Sequence, residues 1–167
     1  TTGFVTDDFS LWPEYLKLFI VVIMMIGGCS GSTSGSFKVI RFIILLKIII
    51  RELKKLIYPR AIFHVKVGDK TIDADDLSNV AALTFLFMGF TALGGILLSA
   101  MGVDFTTALS ATAASLFNIG PGLGDVGAMG NYSSIPAMGK GILIFFMLLG
   151  RLEIYGVILL FLPMAWR

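Results

Sequence analysis

The apolar residues of this chain occur in runs separated by polar segments, and the first two runs are interrupted in an unusual way. Tyr15–Ile26 and Phe37–Ile57 are apolar, and the ten residues between them are all Gly, Ser, Thr or Cys. Gly and Ser in series break helices. Twelve residues, the length of the first run, are too few to cross a bilayer core, which needs roughly 20. The pattern predicts one discontinuous helix over Tyr15–Ile57 whose far end leaves the membrane.

The interruption has the composition of a loop. Its residues are Gly27, Gly28, Cys29, Ser30, Gly31, Ser32, Thr33, Ser34, Gly35 and Ser36. At membrane depth, irregular backbone is tolerated only where it is buried in protein or lines a water-filled cavity. A loop that blocks water or swings aside is therefore predicted. A kink or a small-residue packing patch is the alternative, although a kink needs only one or two small residues.

A polar connector, residues 58–78, follows the second run. Pro59 is expected to end the helix. The alternating stretch Ala61–Ile72 contains Gly-Asp, which predicts a β-hairpin.

The second half of the chain contains three predicted helices. They are a span over Val80–Met101 capped by Ser78 or Asn79, a short helix over Phe105–Phe117 capped by Asp104, and a last span over about Met138–Pro163 with Trp166 and Arg167 as interfacial anchors. The short helix is too polar to face lipid and is predicted to be re-entrant.

One arrangement occurs twice along the chain. TTGF at 1–4 and NIGP at 118–121 each place a glycine-centred turn before a loop, a proline and an apolar helix. A re-entrant helix followed by extended backbone directs carbonyl oxygens at one axis, where they can replace the hydration shell of a cation. The first copy lacks the preceding span and short helix, and the sequence begins without Met or a signal peptide. The sequence is therefore expected to be part of a longer chain.

Composition and charge support a membrane protein. The chain is 56% hydrophobic and 14% charged, with a mean hydropathy of +0.90, against about 45–50% and 25% in soluble domains. Nine of the 13 Lys and Arg residues lie between Lys38 and Lys70, which predicts that this side is cytoplasmic. The net charge of +2 gives no indication of nucleic-acid binding.

A basic face on the second run is formed by residues spaced i, i+4, i+7 and i+8. These are Lys47, Arg51, Lys54 and Lys55. They are candidates for contact with anionic lipid or with a cytosolic partner.

No catalytic set of residues is present in the sequence. It has one His, one Cys and no glycine loop between a strand and a helix of the kind that binds phosphate. The protein is predicted not to be an enzyme, and His64 is interpreted as an ordinary loop residue.

Five segments resemble the Trk/Ktr/HKT superfamily of potassium transporters, and most closely the bacterial Trk-type uptake subunit. They are TTGF, IGGCSGSTSGSFKVIR, RELKKLIYPRA, SLFNIGPGLGDVG and GRLEIYGVILLFLPMAWR. The resemblance implies an all-α membrane protein built from M1–P–M2 potassium-channel-like repeats, with a re-entrant pore helix and a discontinuous inner helix. Residues 1–57 would be the end of the third repeat, 58–78 a cytoplasmic connector and 79–167 the fourth repeat.

The resemblance also implies the site residues. Two filter strips would bind K⁺ through backbone carbonyls, and they are formed by Thr1, Thr2 and Gly3 and by Asn118, Ile119 and Gly120. The segment Gly27–Ser36 would lie beneath this filter as an intramembrane loop and act as a gate.

Arg151 lies near the middle of the predicted last span. A charge at the bilayer centre costs at least about 2.5–3.5 kcal/mol, so Arg151 must face a polar group. The family's matching arginine contacts the loop, and Arg151 is therefore expected to donate hydrogen bonds to it. Pairing with Glu153 is the alternative, although residues at i and i+2 do not face each other on a helix.

The function implied is potassium uptake through a channel-like pore in the bacterial inner membrane. The family implies a homodimer that works with a cytosolic Rossmann-type regulatory subunit, which binds the nucleotide, so that no organic cofactor is expected on this chain. The alternatives are an ion-coupled K⁺ transporter using H⁺ or Na⁺ symport, and a non-conducting scaffold. Passage of Na⁺ beside K⁺ is left open.

Overall fold

The structure, a computed structural model, describes residues 3–29, 31–32, 35, 37–61, 63–68 and 70–161. Within these ranges the chain is mostly helical with one small antiparallel ribbon. The helices are α1 Glu14–Ile26, α2 Val39–Ile57, α3 Ala74–Ala100, α4 Phe105–Leu116, α5 Ala137–Arg151 and α6 Ile154–Phe161, and the strands are β1 Lys66–Val67 and β2 Lys70–Thr71. Short 3-10 turns occupy Phe9–Leu11, Gly124–Val126 and Tyr132–Ser134.

The predicted interruption of the first apolar segment is present. α1 ends at Gly27, which has φ +68°, and α2 begins after Lys38, which has φ +64°. The described residues between the two helices are not helical. The backbone N–H of Val39 donates a 3.0 Å hydrogen bond to the carbonyl oxygen of Gly28. This bond places the start of α2 next to the end of α1.

The connector contains the predicted hairpin. β1 and β2 pair in the register Lys66↔Thr71 and Val67↔Lys70, and α2 ends at Ile57, two residues before the proline. However, α3 begins at Ala74, so the expected start at Val80 with a Ser78 or Asn79 cap is wrong. Asp75 and Asp76 lie in the first turn of α3, where acidic side chains stabilise the positive end of the helix dipole.

α4 is at the centre of the packing. It runs over twelve residues, and its described side chains from Ala111 to Leu116 are all buried. Its small residues let α3 and α5 approach closely on either side, as in other membrane helices. A Cβ built on Gly94 of α3 would lie 2.4 Å from the Cγ2 of Thr112. Most of α4 is therefore enclosed by its neighbours in the chain.

One helix of the described part, Asp75–Ala100, is long and apolar enough to cross a membrane by length and composition.

The last predicted span is not continuous. α5 ends at Arg151, Glu153 adopts φ +56°, and α6 begins at Ile154. The expectation of a single helix over Met138–Pro163 is therefore wrong, and Trp166 and Arg167 lie outside the described residues. A positive φ at a non-glycine residue costs on the order of 1–3 kcal/mol and is maintained by its surroundings.

Candidate functional site

Two glycine strips that are distant in sequence lie side by side. Gly3 has φ +79° and Gly120 has φ +110°, conformations that glycine adopts without a steric penalty. A Cβ built on Gly3 would lie 3.0 Å from the carbonyl oxygen of Ile119, and one built on Gly120 would lie 3.9 Å from the Cα of Gly3. The structure thus brings together the described residues of the two predicted strips. Thr1 and Thr2 lie outside the described residues.

The second strip continues directly from the carboxyl end of α4. Asn118 and Ile119 donate backbone hydrogen bonds of 3.1 and 2.9 Å to the carbonyls of Ser115 and Ala114. Asn118 then takes φ +55°, a left-handed conformation that asparagine tolerates better than most residues. The negative end of the α4 dipole therefore lies at this strip, where it favours a cation. At the other end of α4, the Asp104 carboxylate accepts hydrogen bonds from the N–H groups of Thr106 and Thr107, as predicted.

Tyr132 is attached to the same strip, a contact that the sequence did not predict. Its hydroxyl donates a 2.7 Å hydrogen bond to the carbonyl oxygen of Gly120. Burial raises the pKa of Tyr132, so the hydroxyl remains a donor well above neutral pH. A carbonyl oxygen has two lone pairs, and the one that Tyr132 leaves free can still face a cation.

The side chain of Asn118 forms a junction between three parts of the structure. Its Nδ2 donates a 3.1 Å hydrogen bond to the carbonyl of Met147 in α5. A Cβ built on Gly35 would lie 2.7 Å from the Cβ of Asn118. Gly35 belongs to the interrupting segment, so this segment contacts the base of the strip.

Aromatic side chains fix the end of the interrupting segment at the same place. The rings of Phe37 and Phe87 meet edge to face with centroids 5.9 Å apart, and Phe87 stacks on Phe117 at 5.3 Å. All three are buried. Gly35 and the following Phe37 therefore pack at the carboxyl end of α4, where the strip begins. The other described residues of the interrupting segment are Gly27, Gly28, Cys29, Gly31 and Ser32, whereas Ser30, Thr33, Ser34 and Ser36 lie outside the described residues.

The break between α5 and α6 carries an ion-pair cluster. Glu153 accepts hydrogen bonds from Lys38 Nζ at 2.6 Å and from Arg41 Nη2 at 2.8 Å. Lys38 immediately precedes α2, so the cluster connects the last two helices to the end of the interrupting segment. The sequence did not predict this contact, since the partners are more than one hundred residues apart.

Arg151 is exposed at the end of α5. It has no hydrogen bond or ion pair with any other residue that the structure describes. The alternative pair with Glu153 does not form, because that carboxylate binds Lys38 and Arg41. Hydrogen bonding from Arg151 to the interrupting segment stays a prediction, since four residues of that segment are not described.

Comparisons with known proteins agree with this arrangement. The model of the TrkH family, described as a cation transport protein, matches residues 1–167. The Trk system potassium uptake protein TrkH of Halomonas elongata is 43% identical over 169 residues, covering 100% of this chain and 34% of the relative. TrkH of Escherichia coli strain K12 is 38% identical over 167 residues, covering 100% of this chain and 34% of the relative.

A solved structure is also similar over nearly the whole chain. The crystal structure of the potassium transporter TrkH from Vibrio parahaemolyticus matches with a TM-score of 0.89 and 38% identity. The match covers 99% of this chain and 35% of that one. The chain thus spans about a third of the length of these relatives.

Proposed function

Because the chain belongs to the TrkH family of cation transport proteins, a family of membrane transporters, we propose that it takes part in potassium uptake through a channel-like pore in the bacterial inner membrane. K⁺ would bind backbone carbonyls of the strips Thr1–Gly3 and Asn118–Gly120. The observation that carries this proposal is the contact of Gly3 with Ile119 and Gly120 at the carboxyl end of α4. The remainder of the pore would come from residues outside this chain, which is a third of its relatives' length.

In this proposal the segment Gly27–Ser36 is the gate. Its support is the packing of Gly35 against Asn118 and the closure of the segment by the Val39–Gly28 hydrogen bond. A closed loop beneath the strips would obstruct an ion that leaves them. The ion-pair cluster at Glu153 would hold the end of this loop in place until α2 moves.

The assembly proposed is a homodimer with one pore per subunit. A cytosolic Rossmann-type subunit would bind the nucleotide and pull on the exposed end of α2. Support for this comes from the composition of α2, which extends from the ion-pair cluster to a basic terminal turn containing Lys54 and Lys55.

The test is ion flux by the full-length protein in proteoliposomes. Single-channel currents carried by K⁺ are expected, together with rescue of growth at low potassium. Strictly coupled, saturable flux that requires H⁺ or Na⁺ would instead establish the symport alternative. If the protein inserts normally into the membrane but shows neither flux nor growth rescue, it would be a non-conducting scaffold.

Replacing Arg151 by alanine is expected to raise K⁺ flux several-fold. Arg151 ends α5, and in this proposal its guanidinium binds the gate, while its fixed positive charge repels a permeating cation. Flux in proteoliposomes measures the effect. Lys140→Ala, in the same helix with Nζ bound to the carbonyl of Ser133, is the matched control and should leave flux unchanged. Unchanged or lower flux in Arg151→Ala at equal expression would show that Arg151 does not hold the gate closed.

Replacing Tyr132 by phenylalanine is expected to lower K⁺ flux roughly 2- to 13-fold, since one hydrogen bond contributes about 0.5–1.5 kcal/mol. The change removes the donor to the Gly120 carbonyl and keeps the ring. Tyr155→Phe removes a comparable 3.1 Å hydrogen bond to Asn79 far from the strips. Equal flux in the two variants would show that Tyr132 does not support the strip.

A further inference from the structure

A basic cavity lies between α2 and the β-hairpin, away from the strips. Its volume is about 300 Å³, at the lower limit of about 300–1,000 Å³ for small-molecule sites. Its cationic lining residues are Lys47, Arg51, Lys54 and Lys66. None of its described lining residues is acidic. The cavity therefore concentrates positive charge in a concave space.

The cavity is held in shape by a contact between its two walls. Lys47 Nζ donates to the backbone carbonyl of Lys66, which fixes the hairpin on the helix. The guanidinium of Arg51 binds the neighbouring Glu52, which lies outside the lining. Lys54 and Lys66 have no ion pair with any residue in the described part of the chain. Two cations thus remain available for an anion that enters.

An exposed apolar strip lies beside the cavity, along the same turns of α2. Ile50 lines the cavity and is 50% exposed. The strip consists of large aliphatic side chains that no described residue covers. They are Leu46, Ile49, Ile50, Leu53 and Leu56. Inorganic phosphate has no apolar group that could cover this surface, whereas the acyl chains of a phospholipid would cover it.

We propose that this cavity binds the phosphate-bearing headgroup of an anionic membrane phospholipid, whose acyl chains extend towards the start of α2 over Leu46 and Ile49, the part of the strip nearer the membrane. Lys and Arg at the membrane surface attract anionic lipids, and basic pockets beside membrane helices bind their headgroups. The proposal depends on the membrane location of the chain and not on ion conduction. Its failure is therefore distinguishable from failure of the proposed function.

The test measures lipid binding to the purified full-length protein by native mass spectrometry. Phosphatidylglycerol, phosphatidylcholine and inorganic phosphate are titrated separately. Phosphatidylglycerol is expected to bind most tightly. The double variant Lys54→Gln/Lys66→Gln should weaken its binding roughly 10- to 30-fold, as expected for two juxtamembrane cations. Arg60→Gln removes an exposed charge outside the cavity and should leave binding unchanged.

Three results would overturn the proposal. Equal affinity of the wild-type protein for phosphatidylglycerol and phosphatidylcholine would exclude a headgroup site without recourse to any variant. Inorganic phosphate that displaces phosphatidylglycerol at equal concentration would show a site for free phosphate. Unchanged affinity of the double variant for phosphatidylglycerol would exclude the cavity as the headgroup site, whatever the effect on regulatory-subunit binding.

Discussion

Replacing Gly150 by alanine is expected to reduce the free energy of unfolding by about 3 kcal/mol, near the upper end for overpacked cores. A Cβ at this position would lie 1.7 Å from the carbonyl oxygen of Leu116 and 2.7 Å from the Nδ2 of Asn118. The first obstacle is backbone at the end of α4, so a change of rotamer cannot relieve it. α5 would have to move away from α4, and the hydrogen bond from Asn118 to Met147 would be lost. Denaturant titration in micelles measures the effect.

Gly141→Ala is the matched control for this substitution. Gly141 lies in the same helix, and a Cβ built there meets no atom within 4 Å. Because alanine favours a helix by up to about 1 kcal/mol over glycine, this variant should be as stable as the wild type or slightly more so. Similar losses in both variants would show that close packing at Gly150 is not the cause.

Replacing Gly120 by alanine is expected to reduce K⁺ flux roughly 5- to 150-fold, and Gly3→Ala should act in the same direction. The estimate follows from a strain of about 1–3 kcal/mol for a side chain in such a conformation. Gly120 has φ +110°, and alanine there would turn the carbonyls of the strip away from their present directions. At Gly3 the added Cβ would also approach the carbonyl of Ile119 to 3.0 Å. K⁺ flux and the ratio of K⁺ to Na⁺ permeability in proteoliposomes measure the effect.

Gly102→Ala separates backbone strain from the effect on the strips. Gly102 has φ +88°, and a Cβ there meets no atom within 4 Å. It lies between α3 and α4, away from the two strips. The variant should lose stability but keep its flux per folded molecule. If flux fell equally in Gly102→Ala and Gly120→Ala after correction for folded protein, the role proposed for the strip would be contradicted.

Several elements could be predicted because their causes are local. The Gly/Ser segment interrupts the first helix, Gly68 marks the hairpin turn, and Asp104 caps α4. Each of these depends on backbone propensity or on a hydrogen bond within a few residues of the chain. The pattern of residues 105–117 likewise predicted the short helix α4, whose re-entrant position in a membrane stays a prediction.

Other features could not be predicted because their causes are distant in sequence. At the break between α5 and α6, Glu153 forms ion pairs with Lys38 and Arg41. A hydropathy pattern along the chain cannot show which distant residues will pair. Nothing in the residues around Tyr132 indicated that its hydroxyl would bind the carbonyl of Gly120. α3 begins early, at Ala74, with acidic residues in its first turn. Acidic residues are equally common in polar connectors, so they did not indicate the start of a helix.

The sequence by itself determined where this chain bends, where it is apolar, and to which family it belongs. Those properties follow from residue type and spacing along the chain. The resemblance placed the two strips and the interrupting segment in one region. Only the tertiary structure decided which residues meet there: Gly3 with Ile119, Gly35 with Asn118, and Glu153 with Lys38. Contacts between distant residues are set by the packing of whole helices, and the small side chains of α4 are what allow those helices to approach so closely.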